Sequence, residues 1–179
     1  NRRASTVGGG AFNLADGSFT TVSGGLCNRA ISLNAECHIK CSTIGGGSDN
    51  TLHHLGAGDG NSMIGTTIAG GRSNCIHDPA QYSTIAGGQS NRINSPFGTI
   101  GGGCSNVITG LYSGIIGGRD NAATCDCSFI IGTNITAVRA NTTHVNALHF
   151  DTSPLGIPTS DPGIPGVVWR DGSGFLRIS

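Results

Sequence analysis

The chain has 179 residues, no net charge and only 11% charged residues, which argues against electrostatic binding to nucleic acid or to membranes. No apolar run is long enough for a transmembrane helix. The 31 glycines are about twice the share of an average protein. This composition is compatible with disorder, but the fixed spacing of Ile and Gly predicts a folded repeat protein.

One short pattern recurs along residues 4–138, and the stretch YSTIAGGQSN at 82–91 is a typical copy. Aligning the copies on their final asparagine gives a base spacing of 15 residues, interrupted by spacings of 22, 24 and 17. Such a period predicts a solenoid of stacked coils. The eighth copy has threonine at the aligned position. The aligned residues are Asn13, Asn28, Asn50, Asn74, Asn91, Asn106, Asn121 and Thr136.

Two columns of the alignment recur in all eight copies: a β-branched residue six before the asparagine, and a glycine four before it. The pattern S-T-I-x-G-G begins with the alternation of a strand and ends with a glycine turn. Asparagine tolerates the left-handed region and can bond its own backbone or a ladder of neighbours. We therefore predict a structural ladder of core rungs and corners. Its members include Ile44, Ile68, Ile85, Ile100, Ile115, Gly87, Gly102, Asn91 and Asn106.

Each unit is predicted to form one coil, with a strand, a glycine corner, an asparagine corner, a second short strand and a loop. Coils stacked about 4.8 Å apart would give a rod of roughly 35–40 Å. A single coil cannot bury its apolar face, so stacking must bury a continuous strip. The core residues are small, so we expect the rods to associate. The predicted contact is a column of aromatic residues, Phe19, Tyr82, Phe97 and Tyr112.

The units STVGGGAFN, STIGGGSDN, STIAGGQSN and GTIGGGCSN resemble the head repeats of trimeric autotransporter adhesins, and related repeats occur in phage and large-virus fibre proteins. The resemblance covers about residues 4–138. It implies a left-handed parallel β-roll, a homotrimer and a role in surface attachment. The long inserts and the seven cysteines depart from the secreted bacterial members of that family.

Residues 139–179 have a different character from the repeat domain at 1–138. Four prolines at 154, 158, 162 and 165 favour an extended or turning chain. The final stretch GVVWRDGSGFLRIS predicts a β-hairpin, with strands at 167–170 and 175–179 around a turn at 171–174. It is similar to closing segments of phage and viral fibre proteins, which implies a small trimeric end domain after a neck or connector.

The inserts fall at one point of the coil, near 31–40, 53–63 and 78–81, so they should cluster on one edge of the rod. Long loops on a rigid repeat are typical of recognition sites. The alternative is that they only cover an edge. The candidate ligand-binding residues are Glu36, His38, Lys40, His53, His54, Asp59, Asn61, His77 and Asp78.

His53 and His77 share a column in successive coils, which would place them about 5 Å apart. Together with a nearby carboxylate they would suit a metal ion. Exposed loop histidines are far commoner than metal ligands, so we predict neither a metal nor another cofactor. Because seven cysteines cannot all pair within one chain, a bridge between Cys37 and Cys41 is the alternative to free thiols.

The sequence favours a binding module: the receptor- or surface-binding tip of a trimeric fibre, on a cell surface, a virion or otherwise outside the cell. Its expected partners are two further copies of itself and a cell-surface glycan or protein, with no nucleic acid and no insertion into a membrane. A purely structural shaft is the alternative, and the threonine column raises ice binding as a third. An enzyme is not expected, because GxSxG, HExxH and paired carboxylates are absent.

Overall fold

The computed structural model of the chain is an all-β parallel roll with a small antiparallel hairpin near its C-terminus, as predicted. The structure describes residues 4–32, 39–54, 63–147, 158, 162–163, 165, 168–171, 173 and 176–178. Within these ranges there is no helix, and therefore none of a length and apolarity to cross a membrane. The chain divides into two compact units, Asn1–Asn146 and Ala147–Ser179.

The first sheet has nine parallel strands. Its first six strands are the Thr-Ile or Thr-Val segments that precede the glycine corners, and β13 and β15 continue the isoleucine column with Ile115 and Ile130. Equivalent residues pair across coils, so Thr84 faces Thr99 and Ile85 faces Ile100. The strands are β1 (Thr6–Val7), β3 (Thr21–Val22), β5 (Thr43–Ile44), β7 (Thr67–Ile68), β9 (Thr84–Ile85), β11 (Thr99–Ile100), β13 (Gly114–Arg119), β15 (Phe129–Thr133) and β16 (Thr143–Val145).

The second sheet has seven parallel strands, each beginning directly after the aligned asparagine. Its register follows the same columns, so Ile76 pairs with Ile93 and Ile93 with Ile108. The strands are β2 (Leu14–Asp16), β4 (Arg29–Ser32), β6 (Thr51–His54), β8 (Cys75–His77), β10 (Arg92–Ile93), β12 (Val107–Ile108) and β14 (Ala122–Ala123).

The core contains one inward-facing residue from each sheet in most coils. Ile85 and Ile100 of the first sheet and Ile93 and Ile108 of the second are fully buried in a single hydrophobic cluster. Neighbouring residues in a strand point to opposite faces, so the threonine before each of these isoleucines of the first sheet points outward. The remaining predicted core rungs, Ile44, Ile68 and Ile115, are at most 1% exposed.

Buried asparagines form a continuous hydrogen-bonded ladder beside this core. The Asn91 amide donates to the carbonyl oxygen of Gly87 in its own coil, at 3.0 Å, and to that of Gly103 in the next coil, at 3.1 Å. Its Oδ1 accepts the Asn106 backbone N–H at 3.0 Å. Buried backbone groups need such partners, so each asparagine satisfies the corner of one coil and ties it to the next. The same pattern of bonds runs from Asn13 to Asn121.

Two adjacent glycine columns have different roles at this corner. At Gly88, φ is 86° and an added Cβ would collide with the Gly103 carbonyl oxygen. At Gly87 and Gly102, an added Cβ would meet no atom within 4 Å. The glycine that the backbone requires is therefore the one three before the asparagine, although the one four before it recurs more strictly in the sequence.

The left-handed residues of each coil are not the asparagines. Ser90, directly before Asn91, has φ of 56°, and the asparagine itself stays outside the left-handed region. A second left-handed position falls on the aromatic column, where φ is 53° at Tyr82 and 58° at Phe97. Of the two roles that the sequence allowed for asparagine, the structure shows the ladder.

The first sheet extends past residue 138, where the sequence placed the end of the repeat domain. Strand β16 pairs in parallel with β15, with Ile130 opposite His144. The C-terminal unit contains the antiparallel pair β17 (Val168–Arg170) and β18 (Leu176–Ile178), in which Trp169 faces Arg177. This pair confirms the predicted hairpin.

Replacing Asn91 with alanine should destabilise the roll by at least about 1–3 kcal/mol, the cost of one buried group left without its partner, because three backbone groups lose their bonds to its side chain. Urea unfolding followed by circular dichroism measures the change. The control is Gln89→Ala, which removes an exposed side chain two residues away. Equal stability of the two variants would contradict the proposed role of the asparagine ladder.

Candidate functional site

A cluster of histidines lies where two neighbouring strands lead into inserts. In β6 and β8 the backbone register pairs His53 with His77. Both side chains are half-buried on the outer side of the second sheet. His54 follows His53, so it points inward and is fully buried. Strand alternation thus separates an outer histidine pair from an inner histidine.

Each of these histidines has a close polar neighbour. His53 Nδ1 and His77 Nε2 lie 3.0 Å apart, with ring centroids separated by 4.7 Å and ring planes nearly perpendicular at 83°. A hydrogen bond at this distance requires that one of the two nitrogens has no proton. His54 Nε2 lies 3.7 Å from Asp78 Oδ2. Four of the nine predicted ligand-binding residues therefore come together.

The other predicted residues are not part of this cluster as described. Lys40 is half-buried and forms β-bridges in a different column of the coil. Glu36, His38, Asp59 and Asn61 lie outside the described residues. The described cluster therefore consists of the positions from which the inserts leave the roll.

The surroundings of His77 disfavour its charged form. Burial lowers the pKa of its imidazole below 6.5, and the neighbouring His53 and Arg92 lower it further, while Asp78 opposes them. His77 is therefore neutral at physiological pH. A neutral imidazole can keep the hydrogen bond between the two rings and also offer its second nitrogen to a ligand.

The described residues contain no group of three side chains suited to hold a metal ion. The six described cysteines are free, including Cys41, so the alternative of a bridge from Cys37 to Cys41 is not formed. Burial raises the pKa of Cys75, and Arg92 only partly offsets this effect. The Cys75 thiol is therefore protonated at neutral pH and is not an activated nucleophile.

A groove runs along the asparagine corner, and the sequence analysis missed it. Two cavities, of 670 and 350 Å³, share the same construction. One wall holds residues directly before an aligned asparagine and the other holds residues directly after it. We call this feature the corner groove. Its walls contain Phe12, Cys27, Asp49, Ser73, Ser90 and Ser105 on one side, and Leu14, Arg29, Thr51, Cys75, Arg92 and Val107 on the other.

The aromatic column forms a stack on the surface. The rings of Tyr82 and Phe97 lie 5.5 Å apart with an angle of 17° between their planes, and those of Phe97 and Tyr112 lie 4.7 Å apart at 9°. Because both faces of the Phe97 ring are covered by its neighbours, the stack offers ring edges to solvent. Edges suit packing against another surface better than stacking on a ligand.

Comparisons with known proteins do not assign the chain to a family. No protein-family model matches it, and neither does any curated protein searched. Its function is therefore argued from geometry and from the resemblance of the repeats.

The lowered pKa of His77 predicts a loss of stability in acid. The unfolded chain binds a proton at His77 near pH 6.5, whereas the folded chain binds it only at lower pH, so stability falls as the pH drops below about 6.5. His77→Gln should reduce this dependence, measured as the difference in Tm between pH 7.5 and 5. Gln89→Ala, an exposed change that removes no titratable group, is the control and should leave the dependence unchanged. A pH profile of His77→Gln identical to that of the wild type would contradict this assignment.

Proposed function

We propose that this chain is the surface-binding head of a trimeric fibre. The observation that carries the proposal is the pairing of Ser32 with His54 across β4 and β6. These residues directly precede segments 33–38 and 55–62, which belong to the two longest spacings of the repeat. Two inserts therefore begin at adjacent rungs of the second sheet, which supports a shared recognition surface.

The rigidity of the scaffold supports this role. The inserts begin on strands that are fixed by the buried asparagine ladder and by a continuous aliphatic core. Ligand groups held on rigid strands are positioned more accurately than groups on free loops. The outer side of the second sheet also carries the outer histidine pair and one wall of the corner groove, so this side is the proposed binding surface.

Self-association is the second part of the proposal. On the outer side of the first sheet, Ile116 is 59% exposed, Ile131 50% and Phe129 45%. The stack of Tyr82, Phe97 and Tyr112 is also exposed. Large exposed apolar areas mark interaction surfaces. We propose that three left-handed rolls associate through this side, in keeping with the resemblance to trimeric heads.

The proposed partner is a glycan or protein on a cell surface, and the proposed location is outside the cell, on a cell surface or on a virion. The role is one of binding, without catalysis or a cofactor. A structural shaft subunit is the second candidate, since the regular columns of the roll would serve it equally well.

We expect a mass in native solution near three times 18.0 kDa. Introducing two charges with Ile116→Glu and Ile131→Glu should shift the protein towards monomer, because the charges would be desolvated in the association surface. Analytical ultracentrifugation measures both masses, and Gln89→Glu, an exposed change away from this sheet, is the control. A monomeric wild-type protein would contradict the trimer.

A head and a shaft differ in binding. We expect the wild-type assembly to bind glycans on an array, or proteins in a panel of cell-surface receptors, whereas a shaft would bind neither. Ile85→Asp provides a control that lacks the folded roll, since it places a carboxylate in the core. Absence of binding by the folded assembly to every glycan and receptor tested would favour the shaft.

A further inference from the structure

The two cavities of the corner groove lie on the same columns of the coil and end on neighbouring rungs, where Thr51 pairs with Cys75. The first spans the coils of Asn13, Asn28 and Asn50, and the second spans those of Asn74, Asn91 and Asn106. These are six successive coils. At about 4.8 Å per coil, the groove is roughly 24 Å long. A site of this shape suits an elongated ligand lying along the roll.

The asparagine ladder explains why the groove exists. The aligned asparagines from Asn28 to Asn121 are buried and point inward, so the residues directly before and after them point outward on either side. The Asn91 amide is saturated by Gly87, Gly103 and the backbone of Asn106. The floor is thus polar but has no spare donor or acceptor on its amides, and recognition must come from the walls.

The walls of the second cavity are cationic and rich in hydroxyl groups. Arg92 faces Ser73, Ser90 and Ser105 across the floor, and none of the described residues that line this cavity is acidic. Arg92 is exposed and makes no ion pair with any described residue. Its guanidinium can therefore donate to an anionic group of a ligand, which is the strongest type of hydrogen bond available there.

The first cavity also has an exposed arginine in its wall. Arg29 occupies the same column as Arg92, three coils earlier, and is also exposed. Asp49 is the acidic residue of the opposite wall. At the far end, Phe12 is 82% exposed and gives an apolar ring surface beside these polar groups. Charged, hydroxyl and aromatic groups in one open groove are the combination that a sugar chain requires.

A β-strand ligand fits this groove poorly. The backbone groups of the walls are already used within the roll, as Arg92 N–H donates to the Asn106 carbonyl and Ser90 N–H to that of Arg72. An extended peptide binds a sheet through unpaired backbone groups at an edge. Side chains must therefore supply the contacts, and this favours a ligand that is rich in its own hydroxyl and anionic groups.

We propose that the corner groove binds an extended acidic glycan, with sulfate or carboxylate groups held by Arg29 and Arg92 and sugar hydroxyls contacting Ser73, Ser90 and Ser105. This inference rests on the proposed role in surface binding and names the ligand class. It places recognition on the regular part of the repeat as well as at the inserts.

Binding of three polymers tests the proposal: heparin carries sulfates, polygalacturonate carries carboxylates, and dextran is neutral. The wild-type assembly should bind at least one acidic polymer and not dextran, as measured by surface plasmon resonance. Arg29→Ala and Arg92→Ala should each weaken binding about tenfold, as expected for the loss of a charge-assisted hydrogen bond. Raising NaCl from about 0.05 to about 0.5 M should also weaken it.

Arg139→Ala provides the control, since Arg139 is exposed and lies outside the corner groove, and its affinity should stay within about twofold of the wild type. Arg92→Gln serves as a second variant if Arg92→Ala does not fold. Preference for heparin or for polygalacturonate identifies the anionic group, and either preference supports the proposal.

The proposal is overturned if neither acidic polymer binds, if the two groove variants bind like the wild type, or if single-stranded DNA of matched charge binds as well as the polymers. Glycan-array binding that survives in the Arg29→Ala, Arg92→Ala double variant would refute the groove and leave the surface-binding role intact. A wild-type assembly that binds nothing on arrays or cells would refute both.

Discussion

The side-chain amide of a buried asparagine is the interaction on which the rest of this structure depends. Asn91 bonds a glycine carbonyl in its own coil, a glycine carbonyl in the next coil, and the backbone N–H of the next asparagine. Without the asparagine side chain, the glycine carbonyls and the backbone N–H at each corner would be buried without hydrogen-bond partners. The distance from the asparagine N–H to the preceding Oδ1 is 3.0 Å between Asn50 and Asn74, which lie 24 residues apart, and 3.0 Å between Asn91 and Asn106, which lie 15 apart. The hydrogen-bond distance in the ladder is therefore the same whether 15 or 24 residues separate successive asparagines.

The same ladder connects architecture with the proposed function. Because the asparagine points inward, the residues directly before and after it point outward. Successive coils therefore present two parallel rows of outward-facing side chains. The residues in these rows differ from coil to coil, because the asparagine ladder does not depend on their side chains. One row contains, in order, Arg29, Thr51, Cys75 and Arg92. A thin core of one or two aliphatic residues per coil leaves apolar area on the other side of the roll, where Ile116 and Ile131 remain exposed. The proposed binding and the proposed association thus involve different sheets.

Recurrence in the sequence was sufficient to predict the fold. A β-branched residue and a glycine at constant spacing define a coil, and alignment of the columns predicted that His53 and His77 would be neighbours, as the structure shows. Recurrence could not reveal which of two adjacent glycines makes the turn, because Gly87 and Gly88 look alike until their φ angles are known. Nor could it reveal the corner groove, whose walls differ from coil to coil. The sequence assigned the segment of β16 to a neck or connector, and its pairing with β15 was not predicted because its coil lacks both the asparagine and the glycine.

The pairing of Ser32 with His54 has a consequence for how such a protein can change. Segments 33–38 and 55–62 are each flanked by buried residues of the roll, Ser32 and His54 before them and Ile39 and Met63 after them. A different segment can replace an insert at this edge while the stacked coils of the roll stay the same. The paired rungs at Ser32 and His54 are therefore natural sites for grafting a foreign loop.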